Sequence, residues 1–208
     1  MLVFTKNEMS LISKLNTPKK VQDFLNGIPF NFEENGIDTI KSPIRVLREN
    51  NAHCFEGALL GAFILSEHDF LPLILHLKTR KSDFDHIVTP FKIKGLWGAL
   101  SKTNHSVLRY REPVYKNIRE LVMSYFHEYF LDNGEKTLLS YSRPLNLNIF
   151  KKGWEREEKD LWKIDEELDK VKHYTIAPSK VLKNLRMADE IEIKAGKIIE
   201  YQRPSSIK

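Results

Sequence analysis

Between Ala52 and Ser66 the apolar residues Phe55, Ala58, Leu59, Ala62, Phe63 and Leu65 cover most of a helix's circumference rather than one stripe of it. A helix without a polar face has to be enclosed on several sides, so this segment predicts a buried central helix with other elements wrapped around it. Gly57 and Gly61, four residues apart, lower helix propensity but permit close approach of another element; we read tight packing against a sheet. Asn51 is the expected cap, and the only cysteine of the chain, Cys54, then falls in the first turn.

The segments around this helix carry their own signals. Thr17-Pro18 followed by Val21, Phe24 and Leu25 predicts a capped amphipathic helix ending near Asn26-Gly27. Ser42-Pro43 repeats the start signal for a short helix through Arg48, stopped by Glu49-Asn50-Asn51. Leu71 to Lys78 and His86 to Lys94 read as strands, and Leu96 to Lys102 as a third, joined to the second by a tight hairpin at Lys94-Gly95. Tyr115 to Leu131 carries Ile118, Leu121, Val122, Tyr125, Phe126 and Tyr129 at helical spacing. Residues 153 to 173 predict an amphipathic helix docked on the main body. Residues 178 to 201 predict a short helix and a small hairpin, with Glu190-Ile191-Glu192-Ile193 and Lys197-Ile198-Ile199 as arms and Ala195-Gly196 at the turn. The tail after Gln202 is expected to fray. The expected class is α+β: a cysteine-bearing helix packed on an antiparallel sheet, with additional N- and C-terminal helices. Residues 1–140 form the expected core domain, and 141–208 a helical and small-hairpin extension packed on it.

At 208 residues and 41% hydrophobic, the chain is able to bury a proper core. One cysteine excludes an internal disulfide, and the lack of a CxxC pair argues against structural zinc; we expect a reducing compartment, no metal and no cofactor. Met1 to Lys14 is interrupted by Lys6, Glu8 and Lys14 and lacks the apolar core of a signal peptide, and no stretch approaches the roughly 18 apolar residues of a membrane span. A cytoplasmic protein with no membrane partner is expected. The 33 basic residues are scattered among 28 acidic ones, so the net charge of +5 reads as a solvated surface and argues against nucleic acid as partner. Nothing in the sequence sets an oligomeric state.

A lone cysteine is either a small buried hydrophobe or a nucleophile. At a helix N-terminus the aligned peptide dipoles and unpaired N–H groups favour the thiolate, the reactive form. Nucleophilic use needs a base. His53 is adjacent on the same turn, about 100° away, and is poorly placed to take the thiol proton. His68 lies at the far end of the helix, His76 reads as a satisfied core histidine inside an apolar strand, and His127 and His173 fall on helices at no fixed distance. His86 and His105 remain. His86 opens a strand in Asp83-Phe84-Asp85-His86-Ile87-Val88, and a stiff strand backbone suits a group that must be held within reach of a nucleophile. Asp85 points to the opposite face, and Asp83 and Asp85 read as solvated loop charges.

The string Ala52-His53-Cys54-Phe55-Glu56-Gly57-Ala58-Leu59-Leu60, then a strand, then Asp85-His86-Ile87-Val88, then Gly95-Leu96-Trp97-Gly98, resembles the core of the transglutaminase-like superfamily, relatives of papain-like thiol enzymes. The resemblance covers roughly Asn50 to Asn104. It implies a cysteine at a helix N-terminus, a histidine on a following strand and an aspartate on the next one. The remainder looks like a bacterial group of uncharacterised transglutaminase-like proteins, especially through Ser101-Lys102-Thr103-Asn104-His105 and Arg109-Tyr110-Arg111-Glu112-Pro113.

This chain departs from the pattern at the third member, where Ser101 stands four residues after Trp97. A serine accepts an imidazole N–H and sets the tautomer but brings no charge to an imidazolium. Asn104 is the alternative, since papain-like enzymes use an asparagine. A two-residue turn at Lys94-Gly95 puts Ser101 on the face of His86, and a longer turn or a bulge puts Asn104 there.

The mechanism implied by the resemblance is acyl transfer through a thioester. A Cys54 thiolate paired with protonated His86 attacks a carboxamide carbonyl, His86 protonates the leaving amine, and the Cys54 N–H with a donor such as Asn51 cradles the oxyanion. Water as acceptor gives a peptidase or amidase, and an amine gives a transglutaminase; the expected partner is a peptide or protein amide. Asn104, His105, Arg109 and Arg111 cluster after the third strand, where arginines bind a carboxylate bidentately, or pair with Glu112 and surface acids. The alternatives are a transglutaminase-like binding module without turnover and, less favoured, a basic nucleic-acid binder.

Overall fold

The computed structural model describes residues 1–33 and 36–202; the tail expected to fray after Gln202 lies outside them. Four helices come first, α1 (Lys6–Lys14), α2 (Pro18–Gly27), α3 (Pro43–Glu49) and α4 (Cys54–Ser66). They are followed by strands β1 (Leu73–Thr79), β2 (His86–Ile93), β3 (Leu96–Leu100) and β4 (Arg111–Tyr115), then helix α5 (Ile118–Phe126) and strands β5 (Leu138–Ser142) and β6 (Leu145–Asn146). Helix α6 (Trp162–Lys170), strand β7 (His173–Thr175) and helices α7 (Ser179–Leu182) and α8 (Glu190–Gly196) complete the order. The protein is α+β, with one antiparallel sheet in the order β4-β3-β2-β1-β5-β7 and β6 paired to β1.

Helix α4 occupies the centre, and every residue from Phe55 to Leu65 is buried. On one side Leu60 and Ile64 meet Val21 and Leu25 of α2 and Val46 of α3. On the other, Phe55, Ala58, Leu59 and Ala62 pack with Ile74 of β1 and Ile87 of β2. Leu75, Leu77 and Val88 leave the opposite face of the sheet and pack with Leu121, Val122 and Tyr125 of α5. The alternation along β1 and β2 thus serves two layers, as a sheet buried on both faces requires. The two glycines of α4 lie against the end of β3 and the segment that follows it: a Cβ on Gly57 would lie 2.4 Å from the Cβ of Lys102, and one on Gly61 2.9 Å from Leu100 Cδ1.

Where elements depart from the sequence reading, local capping explains it. Asn117 accepts the Glu120 N–H and starts α5, so the expected 115–131 helix is shorter and Arg111–Tyr115 is free to pair with β3. Pro113 is tolerated there because β4 is an edge strand. The alternating Glu190-Ile191-Glu192-Ile193 forms helix α8 rather than a hairpin arm, because Asp189 and Glu192 close a reciprocal capping box. The expected helix over 153–173 breaks into a 3₁₀ turn, Trp154–Arg156, and α6, whose Ile164 and Leu168 are buried with Phe55 and Leu59. His173, expected on that helix, lies in β7. Strand β5 crosses residue 140, so residues on both sides of it build the sheet. No helix among the described residues is long and apolar enough to cross a membrane.

Candidate active site

Cys54 is the first residue of α4, half-buried, but the cap before it is His53 rather than Asn51. The carboxamide oxygen of Asn51 is taken by Lys41 Nζ, and Ala52 is held extended by its N–H to Pro29 O at 3.1 Å. The helix therefore starts two residues later than an Asn51 cap would set it. His53 Nδ1 accepts the Phe55 N–H at 3.2 Å, and Glu56 returns to the His53 N–H at 3.1 Å. Glu56 is fully buried and also accepts from Thr39 Oγ1 at 2.8 Å, Asn31 Nδ2 at 3.0 Å and the Lys41 N–H at 3.1 Å. A buried carboxylate satisfied in this way pins the first turn, and with it the sulfur. The Cys54 N–H, at the first helical position, has no intrahelical acceptor.

His86 begins β2 and is buried. Lys94 and Gly95 both have positive φ, 49° and 87°, which makes the two-residue type I′ turn, and Ile93 pairs with Leu96. That register brings Ser101 to the histidine: His86 Nε2 lies 2.8 Å from Ser101 Oγ. The hydroxyl donates its proton to Leu108 O, so Ser101 Oγ accepts from His86 Nε2–H. This fixes the tautomer and leaves the His86 Nδ1 lone pair to exchange a proton with the thiol.

Ser101 is itself held from three directions. Gln22 of α2 binds both backbone groups of Ser101, donating to its carbonyl at 2.8 Å and accepting its N–H at 2.9 Å. Leu108 aims its carbonyl at the hydroxyl from a left-handed backbone, φ 59°, a conformation that costs a branched residue about 1–2 kcal/mol. Its N–H donates to Glu128 at 2.7 Å, and Glu128 pairs with Arg111 at 2.6 Å.

The charges around the sulfur pull in opposite directions. Burial alone would raise the Cys54 thiol, but its interactions with the imidazoles of His53 and then His86 outweigh that and hold it well below its ordinary value. For His53, burial disfavours the charged form, while Cys54, the Glu56 carboxylate and the Thr39 carbonyl raise it to about 9. His53 thus lies close enough to the sulfur to share its charge, contrary to its expected position 100° away, because it sits at the cap and not inside the turn. Hydrogen bonding commits both nitrogens of His53, Nδ1 to Phe55 N–H and Nε2 to Thr39 O at 2.7 Å. For proton transfer the free nitrogen decides, and that nitrogen belongs to His86.

No family model matches the chain, and no curated protein matches it in sequence. The site therefore rests on its own geometry.

The other residues singled out in the sequence lie nearby but are engaged elsewhere. Asn104 does not reach His86; it binds the backbone of Tyr201. His105 Nδ1 lies 3.0 Å from Gly196 O, and Arg109 pairs with Glu200 at 3.0 Å. Arg111 is turned inward against Glu128, the Ser124 carbonyl and the Tyr125 ring. Asp85 accepts from His76 Nε2 at 2.8 Å and from the Thr79 N–H at 2.7 Å, so it is a structural carboxylate rather than a solvated one. A cleft of about 560 Å³ opens beside the site, lined in part by Asp83, His105, Leu108 and Tyr129. Among the described residues, no group of three or more His, Cys, Asp or Glu side chains is placed to hold a metal ion. Sequence reasoning missed His53, Glu56, Gln22 and Leu108. Only Glu56 carried a signal, an acidic residue three positions into an apolar helix, the return half of a capping box.

Proposed function

We propose that the protein is a thiol-dependent acyl-transfer enzyme or hydrolase acting on amide or peptide bonds, with Cys54 as nucleophile and His86 as general base and acid, in a transglutaminase-like, papain-like arrangement. The observation that carries this reading is the half-buried Cys54 thiol at the first position of α4 together with the His86 ring, which Ser101 orients at 2.8 Å. Cys54 Sγ attacks the carbonyl carbon, and the π electron pair moves to oxygen, where the Cys54 N–H stabilises it. Collapse breaks the C–N bond, and the departing amine takes the proton held at His86 Nδ1. Water or a second amine then resolves the thioester, with His86 removing the incoming proton. His53 caps the first turn beside the sulfur without taking part in transfer.

One observation favours a second reading, a binding module without turnover: the partner of His86 is a hydroxyl, which orients the ring but does not stabilise its charge. An activated acyl ester separates the two. The enzyme reading predicts a burst of alcohol release and an intact-mass increase of one acyl group located at Cys54, absent in Cys54→Ser and at least about a hundredfold slower in His86→Ala. A thiol that alkylates but never acylates would leave the binding module.

A further inference from the structure

The last described residues lie on the chain as a peptide ligand lies on a receptor. His105 and Ile199 form an antiparallel bridge, flanked by Ser106 N–H to Ile198 O at 2.9 Å and Glu200 N–H to Asn104 O at 2.8 Å. The Asn104 side chain extends the pairing: its amide donates to Tyr201 O at 2.9 Å and its oxygen accepts the Tyr201 N–H at 2.8 Å. Two side chains are read as well. Arg109 meets the Glu200 carboxylate at 3.0 Å, and the Tyr201 ring lies 5.3 Å from Lys102 Nζ with its hydroxyl donating to Asn26 O at 3.2 Å.

The two partners of this contact are built differently. The floor belongs to the core: Asn104 is 5% exposed, and Lys102 is 1% exposed, with its stem on Gly57 and its amine donating to Ile28 O. The cover is loosely attached: α8 has no buried residue, and Ile191 and Ile198 are 74% and 62% exposed. A segment held by main-chain and polar pairs, with little apolar burial, opens locally at low cost. Most of these contacts are to main-chain atoms, which any extended chain supplies, as in strand addition to an exposed edge.

We infer that the edge Asn104–Ser106, with Lys102 and Arg109, is a docking site for an extended peptide carrying an acidic residue followed by an aromatic one, occupied in cis by residues 198–201. The site lies three residues beyond Ser101, the partner of His86, but binding there does not depend on turnover at Cys54. The tethered tail competes at the millimolar effective concentration of a short linkage, so a peptide in trans sees a largely blocked site.

The test uses the full chain and a fluorescein-labelled peptide of residues 195–202, followed by polarisation. Weakening the tail with Glu200→Ala and Tyr201→Ala increases affinity for the peptide at least about tenfold over wild type. Adding Asn104→Ala to that variant removes the gain. Adding Cys54→Ser leaves it intact, which separates failure of this site from failure of the thiol reading. Equal binding by wild type and tail variant, or equal binding of a scrambled peptide, overturns the inference. A second measurement needs no variant: in wild type the amides of Glu200 and Tyr201 exchange hydrogen together and faster than those of β1, and exchange only through global unfolding would equally overturn it.

Discussion

Two side-chain amides in this molecule do the same thing in different places. Gln22 binds both backbone groups of Ser101 at 2.8 and 2.9 Å, and Asn104 binds both backbone groups of Tyr201 at 2.9 and 2.8 Å. The bonds are indistinguishable in length. What differs is what stands behind them. Gln22 projects from α2 beside Val21 and Leu25, both fully buried, and Ser101 is itself buried. Tyr201 belongs to a segment with little apolar burial, and water replaces Asn104 as soon as the tail lifts. A hydrogen bond stabilises according to the cost of leaving its partners unmet, so one clamp fixes the ring of His86 and the other holds a removable cover.

Breaking the first clamp has the largest expected effect. Gln22→Ala leaves a buried N–H and C=O of Ser101 unpaired and costs about 2–4 kcal/mol in urea unfolding, with slower thiol alkylation because Ser101 no longer fixes His86. Gly57→Ala is next. Its Cβ would meet the Lys102 Cβ at 2.4 Å, a contact with a rigid stem rather than a flexible tip, and overpacking of this kind costs about 1–3 kcal/mol. Asn104→Ala costs under about 1 kcal/mol of global stability while speeding hydrogen exchange at Tyr201 and Glu200; a loss as large as that of Gln22→Ala would erase the contrast between the clamps. Arg109→Ala is smallest, about 0.5 kcal/mol or less, since its pair with Glu200 is one-third exposed and screened by salt.

The pH dependence sharpens the same contrast from the side of the thiol. A thiol depressed below its unfolded value of 9.0 stabilises the fold above pH 9 and loses that contribution as pH falls through its folded value. His53, raised from 6.5 to about 9, stabilises the fold below pH 6.5 and loses that contribution as pH rises through about 9. Between 6.5 and 9 the contribution of the imidazole falls as pH rises and opposes that of the thiol. In Cys54→Ser the contribution of the thiol, fully present above pH 9, is lost, and urea midpoints across pH measure it.

Much of the fold was legible because caps and periodicity agreed. Thr17-Pro18 and Ser42-Pro43 begin α2 and α3, and the all-apolar run after Cys54 is α4. Lys94-Gly95 set the hairpin register, and that register brings Ser101 rather than Asn104 to His86. The rest depended on tertiary partners. Strands β6 and β7 are two and three residues long, too short for alternation to register, and exist because β1 and β5 offer them edges. Pro113 hid β4, and the apparent strand pattern of Glu190-Ile191-Glu192-Ile193 hid a capping box. At the site, the role of His53 depends on where the helix starts, and that is set by Lys41 reaching Asn51 from another part of the chain. Gln22 lies 79 residues from the serine it holds, and no local pattern reports such a contact.

Ionisation of Cys54 by the imidazoles held around it sets how its alkylation rate varies with pH. An activated thiolate predicts that the second-order rate with iodoacetamide falls less than about threefold between pH 8.5 and 6.5, and that His86→Ala restores a steeper fall. A wild-type rate that drops at least about fiftyfold over that interval, as for an unperturbed thiol, would contradict it.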